Sequence, residues 1–346
     1  MKYIKSIIYA ILSLTVVSCD SYFDIDGLQP TVRLVLYSLP VAGQDTTIIQ
    51  LSKSVPVSEE GQPQLGFPGG DVKFAINGEP KAVFWNEERK GCLPGQCYYT
   101  VASIQSGDKI GVSAELDGFP VVTSETVVPE PFKVEKVEML YRSDELSNVQ
   151  TRVTFTDPSE SDDYYAVRMV RHAVRYNSSG PTTNIAIAAE EPVELNFDDE
   201  PIFNNKVGLD ATLDFDYDYE YNLYIWTDEQ IMGSSYTLKF SSPYQSPTEY
   251  SYTDSNGVLH TFKFYYQYKL YLYHLSPEFY HYLKSLNDSE NNHFGKFGLA
   301  PLRCSYTNVK NGFGIVGGSR IVETGWALSP DSDHPVMNMP IDSAHD

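Results

Sequence analysis

The chain has 346 residues, with 25 Lys and Arg against 46 Asp and Glu, for a formal net charge of −21. A balance this acidic lacks the electrostatic footprint that neutralises phosphates, so it argues against nucleic acid and anionic membrane surfaces as partners. The length exceeds one ordinary core and predicts two domains, while 42 % apolar and 13 % aromatic residues, 26 of them Tyr, predict strand-rich cores.

Residues 1–18 read as a signal peptide. Lys2 and Lys5 precede an apolar run from Ile7 to Val17, which at about 11 residues is too short to span a bilayer. Val16-Val17-Ser18-Cys19 then has the form of a lipobox, in which the Cys19 thiol is acylated, palmitate being one such chain, and becomes the first mature residue. Loss of the two lysines takes the net charge to −23. Residues 19–30 are short, polar and acidic and predict a tether. With no other long apolar run, the expectation is a protein held to the outer membrane by lipid alone, in the periplasm or at the cell surface.

From residue 31 to 128, short alternating runs recur between turns, which predicts a β-sandwich. Val32–Tyr37, Ile48–Leu51, Val72–Ile76, Tyr98–Ile104 and Lys109–Leu116 are its strands. Asn77-Gly78 predicts a tight hairpin, with Ala82–Trp85 as the returning strand. Cys92 and Cys97 flank Leu-Pro-Gly-Gln and, in an oxidising compartment, are expected to close a small disulfide. Cys304 is left over and is expected as a buried free thiol.

Val127-Val128-Pro129-Glu130-Pro131 reads as a boundary, because two prolines remove amide donors and stiffen the chain. Residues 129–328 predict a second β-rich domain. The fold class is therefore mainly β, two tandem immunoglobulin- or fibronectin-like sandwiches. One short helix is expected near residues 277–287, capped by Ser276, opened by Pro277 and carrying Phe279, Tyr282, Leu283 and Leu286 on one face. Residues 329–346 are polar and aperiodic and predict a disordered tail.

The order of several segments resembles a known family. A lipobox Cys is followed by a first β domain ending in Val-Val-Pro-Glu-Pro. Then come Val153-Thr154-Phe155-Thr156-Asp157-Pro158 and Asp163-Tyr164-Tyr165. Leu275-Ser276-Pro277-Glu278-Phe279-Tyr280-His281-Tyr282-Leu283 and Asn308–Gly318 stand late in the chain. Over most of residues 19–325 this is similar to the Bacteroidetes envelope lipoproteins grouped as domain of unknown function 4249. The resemblance implies a lipoprotein that works beside a TonB-dependent outer-membrane receptor and assists uptake of a ligand. It implies no catalytic residues.

The residues themselves add little chemistry. Gly312, Gly314 and Gly317 match a GxGxxG pattern, but Ser319-Arg320-Ile321-Val322 follows where a dinucleotide site needs a helix, so a glycine-rich strand or bulge is the better reading. Asp214, Asp216 and Asp218 are weak metal candidates, since the spacing fails an EF-hand and a solvated strand face accounts for them. Asp157, Glu160, Asp162 and Asp163 read as an acidic turn after Pro158. No HExxH or GxSxG occurs, and neither a catalytic role nor a cofactor is expected. Phe262, Phe264, Tyr266, Tyr268, Leu270 and Leu272 alternate with a more polar face bearing Tyr265, Tyr271 and Tyr273, the candidate ligand-binding residues. The expected function is a lipid-anchored binding or accessory protein for TonB-dependent uptake of a nutrient. The alternative is a structural or adhesin-like surface lipoprotein.

Overall fold

A computed structural model describes residues 32–55, 66–143, 148–158, 161–176, 185–186, 189–197, 200–203, 223–290 and 305–342. The chain is mainly β. In the first part run β1 (Leu34–Ser38), β2 (Thr46–Lys53), β3 (Asp71–Ile76), β4 (Glu79–Lys81), β5 (Val83–Asn86), β6 (Cys97–Val101), β7 (Lys109–Glu115) and β8 (Val122–Val127). Then follow β9 (Lys133–Arg142), β10 (Asn148–Thr156), β11 (Tyr164–Tyr176), β12 (Ile185–Ala186), β13 (Glu191–Pro192), β14 (Ile225–Thr227), β15 (Ser235–Pro243), β16 (Thr248–Thr253) and β17 (Leu259–Leu275). A helix, α1 (Pro277–Glu290), precedes β18 (Phe313–Val316), β19 (Ser319–Glu323), β20 (Ala327–Leu328) and β21 (Val336–Asn338).

Two sheets, ordered β18-β1-β2-β6-β5 and β4-β3-β7-β8, enclose one core. Its inward residues alternate along each strand, as in Leu34 and Leu36, Ile49 and Leu51, Phe74 and Ile76, and Ile110 and Val112, all buried. Asn77 and Gly78 sit at φ 53° and 83°, the left-handed pair that a two-residue hairpin turn requires. The returning strand differs from expectation. Glu79–Lys81 closes the hairpin as an edge strand that tolerates Pro80, and Val83–Asn86 crosses to the other sheet to pair with β6.

The second core lies between a sheet ordered β15-β10-β9-β21 and a larger one built on β11 and β17. β11 and β17 pair over their full common length, from Tyr164 opposite Leu275 to Tyr176 opposite Lys263. The long alternation in β17 is real: Tyr268, Leu270 and Leu272 face the core, and Lys263, Tyr265, Gln267, Lys269, Tyr271 and Tyr273 face the other way. The helix starts as expected. The Ser276 hydroxyl accepts from the Phe279 amide at 3.3 Å, and Tyr280 packs beneath it with Leu275 and Ala166.

Late sequence returns to the first sheet. β18 runs parallel to β1, with Leu36 opposite Gly314. Asn308 locks the return: its amide donates to Glu125 and Val316 carbonyls, and its oxygen accepts from the Val316 amide. Gly314 lies at φ 103°, and a Cβ there would sit 2.1 Å from the Leu36 carbonyl oxygen. Gly314 is thus a close-packing position on β18, and Gly312 and Gly317, where a Cβ would also come within 2.6 Å of a neighbour, flank the strand ahead of β19.

Two expectations are corrected. Residues 329–342 are not a disordered tail: β21 pairs with β9, and Met339 is buried in the second core. Its alternation is too short to be seen in the sequence, and the pairing is supplied by a distant strand. Cys92 and Cys97 are free thiols rather than a disulfide. Cys97 is fully buried at the start of β6 and its thiol points to the Pro94 carbonyl at 3.1 Å, while Cys92 is exposed in the turn. The Asn86 amide closes the loop instead, donating to the Glu88 and Pro94 carbonyls at 2.7 and 2.6 Å.

Candidate functional site

Three adjacent strands bring one aromatic row together. Tyr165 in β11 stands opposite Trp226 in β14 and His274 in β17, and its ring stacks on both, at 5.7 and 5.1 Å between centroids. Carboxylates gather beside this row because each follows or precedes a strand end: Asp157 just after β10, Asp163 just before β11 and Asp228 just after β14. All three are buried, at 2 %, 5 % and 2 % exposure. One oxygen from each lies within 4.8 Å of the others, the one such group of potential metal ligands among the described residues.

Each member is held differently. Asp157 accepts from the Tyr165 hydroxyl at 2.6 Å and from the Gly233 amide at 2.8 Å. Asp163 accepts from Ser161 and contacts His274 Nε2 at 2.9 Å. His274 Nδ1 lies 2.8 Å from the Glu130 carbonyl, which can only accept, so Nδ1 carries a hydrogen. This bond ties the acidic group to the segment joining β8 and β9. Asp228 Oδ2 meets no donor. Burial pushes the Asp157 and Asp228 carboxyls above the usual range, partly opposed at Asp157 by its two donors and at Asp228 by backbone hydrogen bonds from Asp163 and its own amide. Burial likewise pushes the Tyr165 phenol up, with Asp157 and its charge adding to the effect.

A second feature lies at the other end of β17. The strand continues past its last β11 partner and pairs with β16 to form a hairpin. Asp254 builds the turn, accepting from the Asn256 and Val258 amides at 2.9 Å. Those amides, with His260 at 3.1 Å, hold its carboxyl below the ordinary range. One face of the hairpin carries Tyr250, Tyr252, His260, Phe262 and Phe264. Tyr252 stacks on His260 and Phe262, and the Arg175 guanidinium lies 4.7 Å over the Phe262 ring. This is the core-facing stripe of β17 carried beyond the core, and it stays open to solvent: Tyr250 is 58 % and Tyr252 43 % exposed.

The residues singled out in the sequence fall as follows. Tyr265, Tyr271 and Tyr273 share one face of β17 and are half-buried. Tyr273 packs beside α1 with the Ala166–Leu275–Tyr280 cluster, and burial raises its phenol against the opposing pull of Arg168. Lys269 stands 5.2 Å over the Tyr271 ring and pairs with Glu323 at 3.1 Å. Tyr265 lies six residues from Tyr271, roughly 20 Å along a strand, so the three do not converge on one small ligand. Cys19, Cys304, Asp214, Asp216 and Asp218 lie outside the described residues. No helix of the described residues is long and apolar enough to cross a membrane.

A family model described as "Domain of unknown function (DUF4249)" matches residues 20–324. The chain belongs to this family. No curated protein matches it. The matched span of this DUF4249 protein covers β1 to β19, α1, the Asn308–Gly318 return and the three acids, and leaves out β20 and β21, which complete the second core.

Sequence reasoning missed Asp228 and read Asp157 and Asp163 as a solvated turn. The available signal was weak: an aspartate directly after a strand ending in Thr, in Phe155-Thr156-Asp157 and again in Trp226-Thr227-Asp228. Burial of the group depends on the ends of β10, β11 and β14 meeting, which no local pattern encodes.

Proposed function

We propose that this DUF4249 protein is a lipid-anchored envelope binding protein that assists a TonB-dependent outer-membrane receptor in taking up a nutrient. The observation that carries the reading is the exposed aromatic face of the β16–β17 hairpin. Tyrosine and phenylalanine rings on a rigid strand offer large contact area at small entropic cost, and such residues are enriched where proteins dock. Exposed rings of this kind in ordered, stacked geometry are costly to leave in water unless a partner covers them. The lipobox at Cys19 and the acidic tether would hold the two cores close to a membrane receptor.

The double substitution Tyr250→Ala/Tyr252→Ala removes exposed rings without opening a cavity. It is expected to leave the melting temperature within about 2 °C of wild type. Deleting the gene is expected to slow growth on one class of nutrient, and the double variant to reproduce that defect. A deletion strain that grows normally on every nutrient would favour the structural or adhesin-like alternative.

A further inference from the structure

We infer that Asp157, Asp163 and Asp228 form a binding site for a hard divalent cation, with Ca²⁺ the best match. The geometry points there: three buried carboxylates each bring an oxygen to one spot, and none of them has a Lys or Arg partner among the described residues.

The independent observation is Asp228 Oδ2, an oxygen of a side chain 2 % exposed that accepts from no donor while its carboxylate reaches into the group. Buried polar atoms are almost always satisfied. This chain satisfies its other buried acid of this core: Glu200 accepts from the Tyr236 hydroxyl and, at 2.7 Å, from the Lys239 amide, so both its oxygens are engaged. Asp228 is the exception, and it is the one that sits with two other carboxylates.

Geometry and donor type select the ion. Two oxygens each about 2.4 Å from a Ca²⁺ can be at most ~4.8 Å apart, and the three oxygens all fall within 4.8 Å. An all-oxygen carboxylate set suits Ca²⁺ or Mg²⁺ rather than Zn²⁺, and irregular positions at three strand ends suit the more adaptable Ca²⁺ shell. The His274 bond to Glu130 would then couple a filled site to the linker between the two cores. This inference is independent of receptor docking, because the hairpin lies at the opposite end of β17.

The test uses the full chain in detergent, stripped with EDTA. Ca²⁺ at about 100 times its dissociation constant is expected to raise the melting temperature by roughly 5 °C or more. Tb³⁺ is expected to give emission sensitised by Trp226 and Tyr165, which added Ca²⁺ displaces. Asp228→Asn, nearly isosteric, is expected to lose both responses while its metal-free melting temperature stays at or above that of metal-free wild type, because a repulsive charge has gone. No thermal shift and no sensitised emission from wild type would overturn the site, whatever the variant does. So would an Asp228→Asn protein that keeps both responses.

Discussion

Gly314→Ala is expected to destabilise the protein by about 4 kcal/mol or more, seen as a lower urea midpoint with little change in slope. Two costs add. The residue sits at φ 103°, a region that carries ~1–3 kcal/mol of strain for a side chain. The new Cβ would also lie 2.1 Å from the Leu36 carbonyl oxygen and 2.8 Å from its carbon, which are backbone atoms of β1 that cannot rotate away. Relief requires β18 to leave β1. That movement would break the register of Val35–Ser38 with Phe313–Val316 and pull on the Asn308 bonds to β8 and on the Gly317 amide, which donates to the Ser38 carbonyl at 3.0 Å. Gly111→Ala in β7 is the control: a Cβ there meets nothing within 4 Å, so a change of no more than about 0.5 kcal/mol is expected. Equal midpoints for the two variants would mean that β18 does not approach β1 this closely.

Cys19→Ala is expected to move the protein from the membrane fraction to the soluble fraction almost completely. Acyl chains supply ~0.8 kcal/mol per buried CH₂, and two or more chains give an anchor that a single one does not. No helix of the described residues is long and apolar enough to cross a bilayer. The net charge of −21 gives no attraction to an anionic leaflet either. Mass spectrometry of the mature N-terminal peptide checks the same point. An unmodified Cys19 in membrane-bound protein would contradict the lipobox reading.

How much was legible in the sequence depended on whether the determinant was local. The Asn77-Gly78 turn, the Ser276-Pro277 helix start and the β17 alternation each rest on residues within a few positions of one another, and each appears where the pattern placed it. The strand character of the segment between Gly312 and Gly317 was also readable, because Ser319–Val322 follows as strand. Its partner was not: pairing with β1 spans more than 270 residues. The same limit hid β21, which is ordered only because β9 has a free edge. Cys92 and Cys97 show a different failure. Their spacing permits a disulfide, but Asn86 already closes the loop through two backbone carbonyls and Cys97 turns into the core. The acidic group failed for a third reason. Asp157 and Asp163 looked like solvated turn residues, and only the meeting of three strand ends buries them beside Asp228.

The acidity that excluded nucleic acid also changes meaning with the fold in view. Most of the described ion pairs are exposed, such as Lys73–Asp71 and Lys109–Glu125, and contribute little to stability. The exceptional carboxylates are the few that are buried, and Asp157, Asp163 and Asp228 are the three of them that meet at one spot.

The central claim is that this DUF4249 protein works bound to a receptor through the aromatic face of its hairpin. Affinity isolation of the full-length lipoprotein from detergent-solubilised outer membrane tests it most directly. The account predicts a TonB-dependent β-barrel receptor in near one-to-one ratio with wild type, and its loss with Tyr250→Ala/Tyr252→Ala. Wild-type lipoprotein isolated alone, or a receptor held equally well by the double variant, would contradict it.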